Sequence, residues 1–232
     1  MIETKNLKKS FQNGEVETHV LKGINFKASS GEFLAIMGRS GAGKSTFLYQ
    51  LSLLDDPTSG EIIIDGENTQ TMSADQKAKI RLSKFGYVFQ DYALLPELTA
   101  VENVALPLLM QGETRKKAYE ASAKSLERLG LGHRLDNLPS QLSGGEQQRV
   151  SIARAVAHKP KILFADEPTA NLDNESSRAV MSAFKDLHQN EGQTIIMVTH
   201  EEDYAKEAQR IVRLDNGNII AAGEATLAEF GR

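Results

Sequence analysis

The sequence predicts an α/β fold: a parallel core within a mixed sheet, an antiparallel β edge, and a helical insertion. Three observations carry that expectation. Short β-rich stretches alternate with helical ones, the order that builds parallel sheets. Asp215-Asn216-Gly217 separates Ile211-Val212-Arg213-Leu214 from Asn218-Ile219-Ile220, a hairpin signal at the β edge. Residues 91–142 carry helical patterns and no strand of comparable strength.

The elements follow in order. Residues 20–26 alternate apolar and polar side chains, as a half-buried strand does. Residues 32–37 read as a buried strand running into a glycine-rich turn. Residues 44–54 read as a helix that stops before Pro57. Residues 61–64 form a strand closed by the Asp65-Gly66 turn. Residues 84–89 are a further short strand. Within the insertion, residues 99–109 are partly helical and residues 113–129 form a charged amphipathic helix. A helix at 146–157, a strand at 161–165, a helix at 174–189 and a β-branched strand at 194–198 complete the core. The expected organisation is one domain over residues 1–232. Residues 1–90 and 143–232 make the α/β core with its β edge, and residues 91–142 make the helical subdomain.

Composition removes several functions. At 40% hydrophobic and 25% charged, the 232 residues exclude whole-chain disorder and a collagen-like chain. The chain has no cysteine, which excludes disulfides, thiolate nucleophiles and Cys-based zinc sites. A net charge of -4 gives no whole-surface reason to bind nucleic acid, so no nucleic-acid partner is expected. Met1-Ile2-Glu3-Thr4-Lys5 shows no signal-peptide pattern. No apolar run reaches the roughly 18–20 residues of a membrane span. The most apolar stretch, residues 104–110, is short and contains Pro107. A membrane role therefore needs a partner.

Gly38-Arg39-Ser40-Gly41-Ala42-Gly43-Lys44-Ser45 matches G-x-x-x-x-G-K-[ST] in full, between a predicted strand and a predicted helix. Glycines let backbone N–H groups converge on phosphate oxygens. The helix N-terminus adds partial positive charge. Lys44 is placed to reach the β- and γ-phosphates, and the Ser45 hydroxyl to ligate Mg²⁺. The expected core is therefore that of a P-loop NTPase. The strand at 161–165 runs into Asp166-Glu167, two adjacent carboxylates. Asp166 is placed to hold the Mg²⁺ shell. Glu167 points differently on an extended chain. It can accept a proton from the attacking water or orient it.

Leu142-Ser143-Gly144-Gly145-Glu146-Gln147-Gln148-Arg149 precedes a helix, and Ser143 with Glu146 fits a capping box. A cap does not need two glycines. They leave backbone N–H groups open at a helix N-terminus, a second anion site. Two phosphate sites for one nucleotide point to a head-to-tail dimer, with each ATP between the P-loop of one chain and the Ser-Gly-Gly turn of the other.

On these motifs the sequence resembles the nucleotide-binding subunits of ABC transporters, over essentially its whole length and in the family's motif order. The resemblance implies a Walker A loop over residues 38–46, with Gly38, Ser40, Gly41, Ala42, Gly43, Lys44, Ser45 and Thr46 around the nucleotide. Gln90 falls at the Q-loop glutamine, completing a metal shell with Ser45 and Asp166. Ser143, Gly144 and Gly145 belong to the signature. Asp166 is the Walker B aspartate, and Glu167 the catalytic glutamate. Ala170-Asn171-Leu172-Asp173 resembles the D-loop, with Asn where Ser is common. His200 matches the switch histidine at the γ-phosphate. Phe11 stands where the family places an aromatic that stacks on adenine. Catalysis would fall to Lys44, Gln90, Glu167 and His200.

The implied activity is Mg²⁺-ATP hydrolysis in an ATP-bound homodimer that drives an integral membrane permease. The chain would sit peripherally on the cytoplasmic face of the inner (plasma) membrane. Tyr92, Leu94, Leu95 and Pro96 follow Gln90, where the family holds a short permease helix. Pro57-Thr58-Ser59-Gly60-Glu61, Glu102-Asn103-Val104, Leu106-Pro107-Leu108 and Asp166-Glu167-Pro168-Thr169 resemble the branch of lipoprotein-release, macrolide-efflux and cell-division ATPases. A non-transporting ATPase that signals through a membrane partner has the same motifs, and importer ATPases share much of the signature. A DNA-repair-type ATPase would separate the P-loop from the signature by a long coiled coil; here only about 100 residues intervene, without sustained heptads.

Overall fold

The computed structural model describes residues 1–14 and 16–224. The chain opens with strands β1 (Ile2–Asn13), β2 (Val16–Ala28) and β3 (Phe33–Met37), helix α1 (Lys44–Leu51), and strands β4 (Ser59–Ile64) and β5 (Glu67–Asn68). Helix α2 (Ala74–Lys84), strand β6 (Phe85–Val88), and helices α3 (Ala100–Met110), α4 (Arg115–Arg128) and α5 (Gly144–Val156) follow. Strand β7 (Ile162–Asp166), helix α6 (Asn174–Glu191), strand β8 (Thr194–Val198), helix α7 (Glu202–Ala205), and strands β9 (Arg210–Asp215) and β10 (Asn218–Glu224) complete it. Two compact units divide the chain: Met1–Ala78 with Gly192–Arg232, and Lys79–Glu191.

The first unit holds an antiparallel sheet in the order β2-β1-β4-β5. It also holds a mixed sheet segment in the order β10-β9-β3-β8. There β3 runs parallel to both β8 and β9, and β10 is antiparallel to β9. The α/β class with a mixed sheet and an antiparallel edge is thus as expected. Every residue of β3 and β8 is buried. A parallel strand covered on both faces needs such unbroken apolar runs, which is why these two are plain in the sequence. The edge strand β2 instead alternates, burying Leu21, Ile24, Phe26 and Ala28. Phe26 meets Phe47 of α1 edge-on, with ring centroids 5.2 Å apart, so sheet and helix share one aromatic contact.

Turn chemistry closes the hairpins. Asp65-Gly66 and Asn216-Gly217 place both central residues at positive φ (52° and 86°, 45° and 76°), the pattern of a two-residue hairpin turn. Helix α1 ends at Leu51 rather than at residue 54, because Leu53 turns left-handed at φ 57°.

In the second unit β6 runs parallel to β7, and Phe85 packs edge-on against Phe164 at 5.1 Å. Helices α3, α4 and α5 bury Ala100, Val101, Val104, Leu126, Val150 and Ala153 in one cluster. Thr99 caps α3 through a reciprocal box with Glu102, and the helix continues across Pro107, which has no N–H to offer the Asn103 carbonyl. Among the described residues no helix is long and apolar enough to cross a membrane.

Four of these elements had no sequence expectation: β1, the two-residue β5, α2 and α7. Strand β1 buries only Ile2, Thr4 and Leu7 and is broken by register shifts. Helix α2 buries nothing, so it has no apolar stripe to read. Helix α7 is four residues long.

Candidate nucleotide-binding site

In the first unit, β3 delivers the glycine-rich loop to α1. A Cβ on Gly38 would lie 2.2 Å from the Leu214 carbonyl oxygen, so only glycine lets this turn run beside β9. Gly43 is the N-cap of α1 at φ 97°, ψ 12°, and no side chain caps the helix. The first turn of α1 therefore starts from a left-handed glycine with no side-chain cap, the arrangement that receives an anion. Arg39, Ser40 and Gly41 form the exposed crest. Ala42, buried below it, donates to the Arg39 carbonyl at 3.1 Å and accepts from the Gly217 amide at 3.2 Å. Lys44 is 7% exposed and folds back, its ammonium 3.3 Å from the Arg39 carbonyl. Ser45 and Thr46 sit half-buried in the first turn of α1.

His200 lies just past β8, which pairs with β3 through Ile36 and Val198. Both chains leave the sheet at the same carboxyl edge, the edge where α/β sheets take ligands. The Thr199 amide donates to Ile36, and the Thr199 hydroxyl accepts from the Glu201 amide, so His200 is held between two fixed neighbours and is itself exposed. Phe11 does not enter the core. It is 46% exposed on β1, with the Lys9 ammonium 5.0 Å above its ring. It pairs with Thr18 of β2, two residues from Val20, whose carbonyl backs Gly43.

The second unit carries the acidic residues. All of β7 is buried, and Asp166 at its end is 4% exposed. Glu167 then turns left-handed at φ 43° although it precedes Pro168. A left-handed residue bearing a Cβ costs about 1–2 kcal/mol, and proline disfavours the helical region just before it. The left-handed turn follows directly on Asp166. A buried glutamine that the sequence reading left unassigned braces it: the Gln148 amide donates to the Pro168 carbonyl at 2.8 Å. Its sequence signal was only that of one polar residue on a polar helix.

Asp173 precedes α6 and accepts from both the amide and the hydroxyl of Ser176, at 2.8 and 2.9 Å. Those bonds hold its carboxyl below the usual range. Ser143 caps α5 as expected. Its hydroxyl accepts from the Glu146 amide, and Glu146 accepts from the Ser143 amide at 2.8 Å. The Ser143 hydrogen bonds and Arg134, whose guanidinium is 2.9 Å away, hold the Glu146 carboxyl low. This box engages the N–H groups of Ser143 and Glu146, not those of Gly144 and Gly145.

Gln90, exposed after β6, is tied to the loop after β7. Asn171 donates its amide toward the Gln90 carbonyl and the Asp91 carboxylate, each at 3.3 Å. The asparagine that departs from the family's common serine thus has a structural use. Two further residues shape this segment and were not assigned from sequence. Arg154 of α5 donates to the Tyr92 and Ala93 carbonyls at 2.9 and 2.6 Å. Burial pulls its guanidinium down to about 10, still charged at neutral pH. Asn103 of α3 is fully buried and accepts from Leu95, while its amide reaches the Leu95, Leu98 and Thr99 carbonyls at 2.9–3.1 Å.

The structure thus gathers the cradle and His200 at one sheet edge of the first unit. In the second it gathers Gln90, the acidic turn and the Ser143 turn around α5. No cluster of three or more His, Asp or Glu side chains is gathered for a metal among the described residues. The predicted donor set of Ser45, Gln90 and Asp166 is all oxygen with one carboxylate. That set suits Mg²⁺, which binds through one or two carboxylates together with substrate phosphates.

An ABC transporter family model matches residues 21–170. The chain is 50% identical over 220 residues to the ABC transporter ATP-binding protein MJ1508 of Methanocaldococcus jannaschii, covering 95% of this chain and 98% of that one. It is 44% identical to the lipoprotein-releasing system ATP-binding protein LolD of Shewanella frigidimarina, covering 99% of this chain and 97% of that one. It is 48% identical to the macrolide export ATP-binding/permease protein MacB of Syntrophobacter fumaroxidans, covering 94% of this chain but spanning only 31% of that longer protein. Among solved structures, the dimeric cassette MJ0796 in a post-hydrolysis state with ADP and Pi superposes with a TM-score of 0.91 at 39% identity, over 97% of this chain and 99% of that one. The chain belongs to the ABC transporter family, as its ATP-binding cassette.

Proposed function

We propose that this chain, an ABC ATPase cassette, hydrolyses Mg²⁺-ATP in a head-to-tail homodimer and drives a membrane permease of the efflux or lipoprotein-release type. The observation that carries the nucleotide half is the uncapped, Gly43-led N-terminus of α1 with Lys44 folded beside it. The type rests on the lipoprotein-releasing and macrolide-export relatives.

The residues divide the work. Backbone N–H groups of Gly38, Ser40, Gly41, Ala42 and Gly43 receive the phosphates, and Lys44 neutralises them. Ser45, Gln90 and Asp166 would hold Mg²⁺, which would supply neutralisation of phosphate charge. Thr46 donates from the first turn of α1. Glu167, in the left-handed turn after Asp166, orients the attacking water and takes its proton. His200 contacts the γ-phosphate, and Phe11, already exposed, offers a face to adenine. Ser143, Gly144 and Gly145 of a second copy close over the γ-phosphate, with Asp173 at the same dimer seam. Closure is favoured by contacts present only with ATP, and hydrolysis removes them.

Residues 91–142 form the subdomain that receives the permease, through Tyr92, Leu94, Leu95 and Pro96. The chain then lies peripherally on the cytoplasmic face of the plasma membrane, with no nucleic-acid partner. The test is Glu167→Gln purified from native membranes with Mg²⁺-ATP. The expected result is an ATP-bound dimer that copurifies a multi-span membrane protein. Near-normal turnover by the variant would overturn the role of Glu167. Recovery with only soluble partners would overturn the permease.

A further inference from the structure

The segment after Gln90 holds Tyr92 and Ala93 in left-handed backbone, at φ 59° and 50°, with glycine at neither. A residue with a Cβ does not stay there unless its surroundings over-determine it. Here the surroundings are identifiable. Arg154, in the last turn of α5, spreads its two terminal nitrogens over the Ala93 and Tyr92 carbonyls, at 2.6 and 2.9 Å. A planar guanidinium suits two diverging acceptors, where an ammonium offers one point of charge. The Tyr92 ring points to the other end of the same helix: a Cβ on Gly144 would lie 2.9 Å from the Tyr92 hydroxyl. Asn171 holds the preceding Gln90 carbonyl. One short strained segment is therefore fastened to both ends of the helix that opens with Ser143-Gly144-Gly145.

We propose that Arg154 is a positioning residue that holds Tyr92-Ala93 in left-handed backbone, keeps Tyr92 seated against Gly144, and so couples the Gln90 segment to the Ser143 turn. A displacement at residues 92–96 then moves the turn that closes over the second copy's nucleotide. The catalytic half of this inference rests on the function proposed above; the backbone half does not.

Four variants test it: Arg154→Ala, Arg154→Lys, Ala93→Gly, and Arg154→Ala combined with Ala93→Gly. ATP turnover with its KM, and amide hydrogen exchange over residues 91–96, are the readouts. Arg154→Ala is expected to lower kcat about tenfold, the scale of a coupling contact, with KM for ATP little changed and exchange over 91–96 faster. Arg154→Lys is expected to fall between it and the unchanged protein, and keeps the test open if the alanine variant does not fold. Ala93→Gly alone is expected to leave turnover unchanged. In the double variant glycine adopts φ near 50° at residue 93 without a clamp, while Tyr92 still lacks one, so part of the lost turnover returns.

A double variant as slow as Arg154→Ala would overturn the proposal, because lost packing alone is not repaired by glycine at residue 93. Unchanged turnover and exchange in Arg154→Ala would also overturn it. If the unsubstituted chain does not hydrolyse ATP, the ATPase function falls instead. Exchange then decides the clamp: faster exchange in Arg154→Ala supports it, and unchanged exchange overturns it.

Discussion

The phosphate cradle and the segment after Gln90 both need left-handed backbone, and they obtain it in opposite ways. The cradle places glycine where φ is positive, at Gly41 (77°) and Gly43 (97°). The second segment uses Tyr92 and Ala93, and the acidic turn uses Glu167. Glycine meets the requirement with its own conformational freedom, so these positions need no clamping side chain from elsewhere in the chain. The other turns are held by Arg154 and Gln148, both on α5. A binding site benefits from being ready before its ligand arrives. A segment held by distant side chains can change when those side chains shift, which is what a coupling element requires.

The largest test separates binding from hydrolysis across this divide. Glu167→Gln is expected to lower turnover about 10²–10⁴-fold, the range for loss of a positioned general base. Its ATP affinity should persist. Lys44→Ala is expected to weaken ATP binding about tenfold or more, as loss of a charge-assisted hydrogen bond does. Phosphate release and nucleotide titration on both variants decide it. Equal loss of affinity in the two would erase the division of labour.

Next comes rigidity. Gly38→Ala drives a Cβ to within 2.2 Å of the Leu214 carbonyl, where backbone must move. Overpacking of that kind costs about 1–3 kcal/mol. Denaturant midpoints, with an unchanged slope, would read it. A silent Gly38→Ala would mean that the turn has room this structure does not show.

The sharpest form of the comparison is a pair of opposite signs. Gly43→Ala puts a Cβ into left-handed backbone, at about 1–2 kcal/mol. Ala93→Gly removes one from it, so relief of strain offsets the entropy of the unfolded glycine and stability changes by less than about 1 kcal/mol. Loss of stability in both variants to the same extent would mean that Ala93 is not strained.

This contrast also explains what could be read in the sequence. The cradle announced itself because its rule is local: glycines, lysine and serine at fixed spacing after a buried strand. Strands β3, β7 and β8 were plain because every residue in them is buried, and β10 followed from Asn216-Gly217. The capping box at Ser143 was likewise local. Strand β1 was not marked out because lysines at 5, 8 and 9 and register shifts break its alternation. Gln148 is buried on α5 and Arg154 lies in its last turn, and their partners, Pro168 and Tyr92-Ala93, are set by tertiary approach. No spacing rule connects them. Glycine-based geometry is legible because the residue that permits it sits in place. Clamped geometry is not, because the clamp is far along the chain.

The smallest effect tests whether the α5 end that carries Gly144 is held by charge. Glu146 accepts from the Ser143 amide and lies 2.9 Å from Arg134, and its pKa is lowered chiefly by that amide. A carboxyl whose folded value lies below its unfolded value of roughly 4.3 takes up its proton more readily when unfolded. Its contribution is then fully present above the unfolded value and lost as pH falls through the folded one. Glu146→Gln keeps the box's hydrogen-bonding shape and removes the titration. The difference in unfolding free energy between the two proteins is therefore expected to favour the natural chain at pH 7 by no more than about 1 kcal/mol, the worth of a cap. It should shrink steadily as pH falls below about 4. Urea unfolding of both proteins across that window gives the difference directly, since other carboxylates titrate alike in each. A difference independent of pH would mean that shape, not charge, holds the turn against which Tyr92 rests.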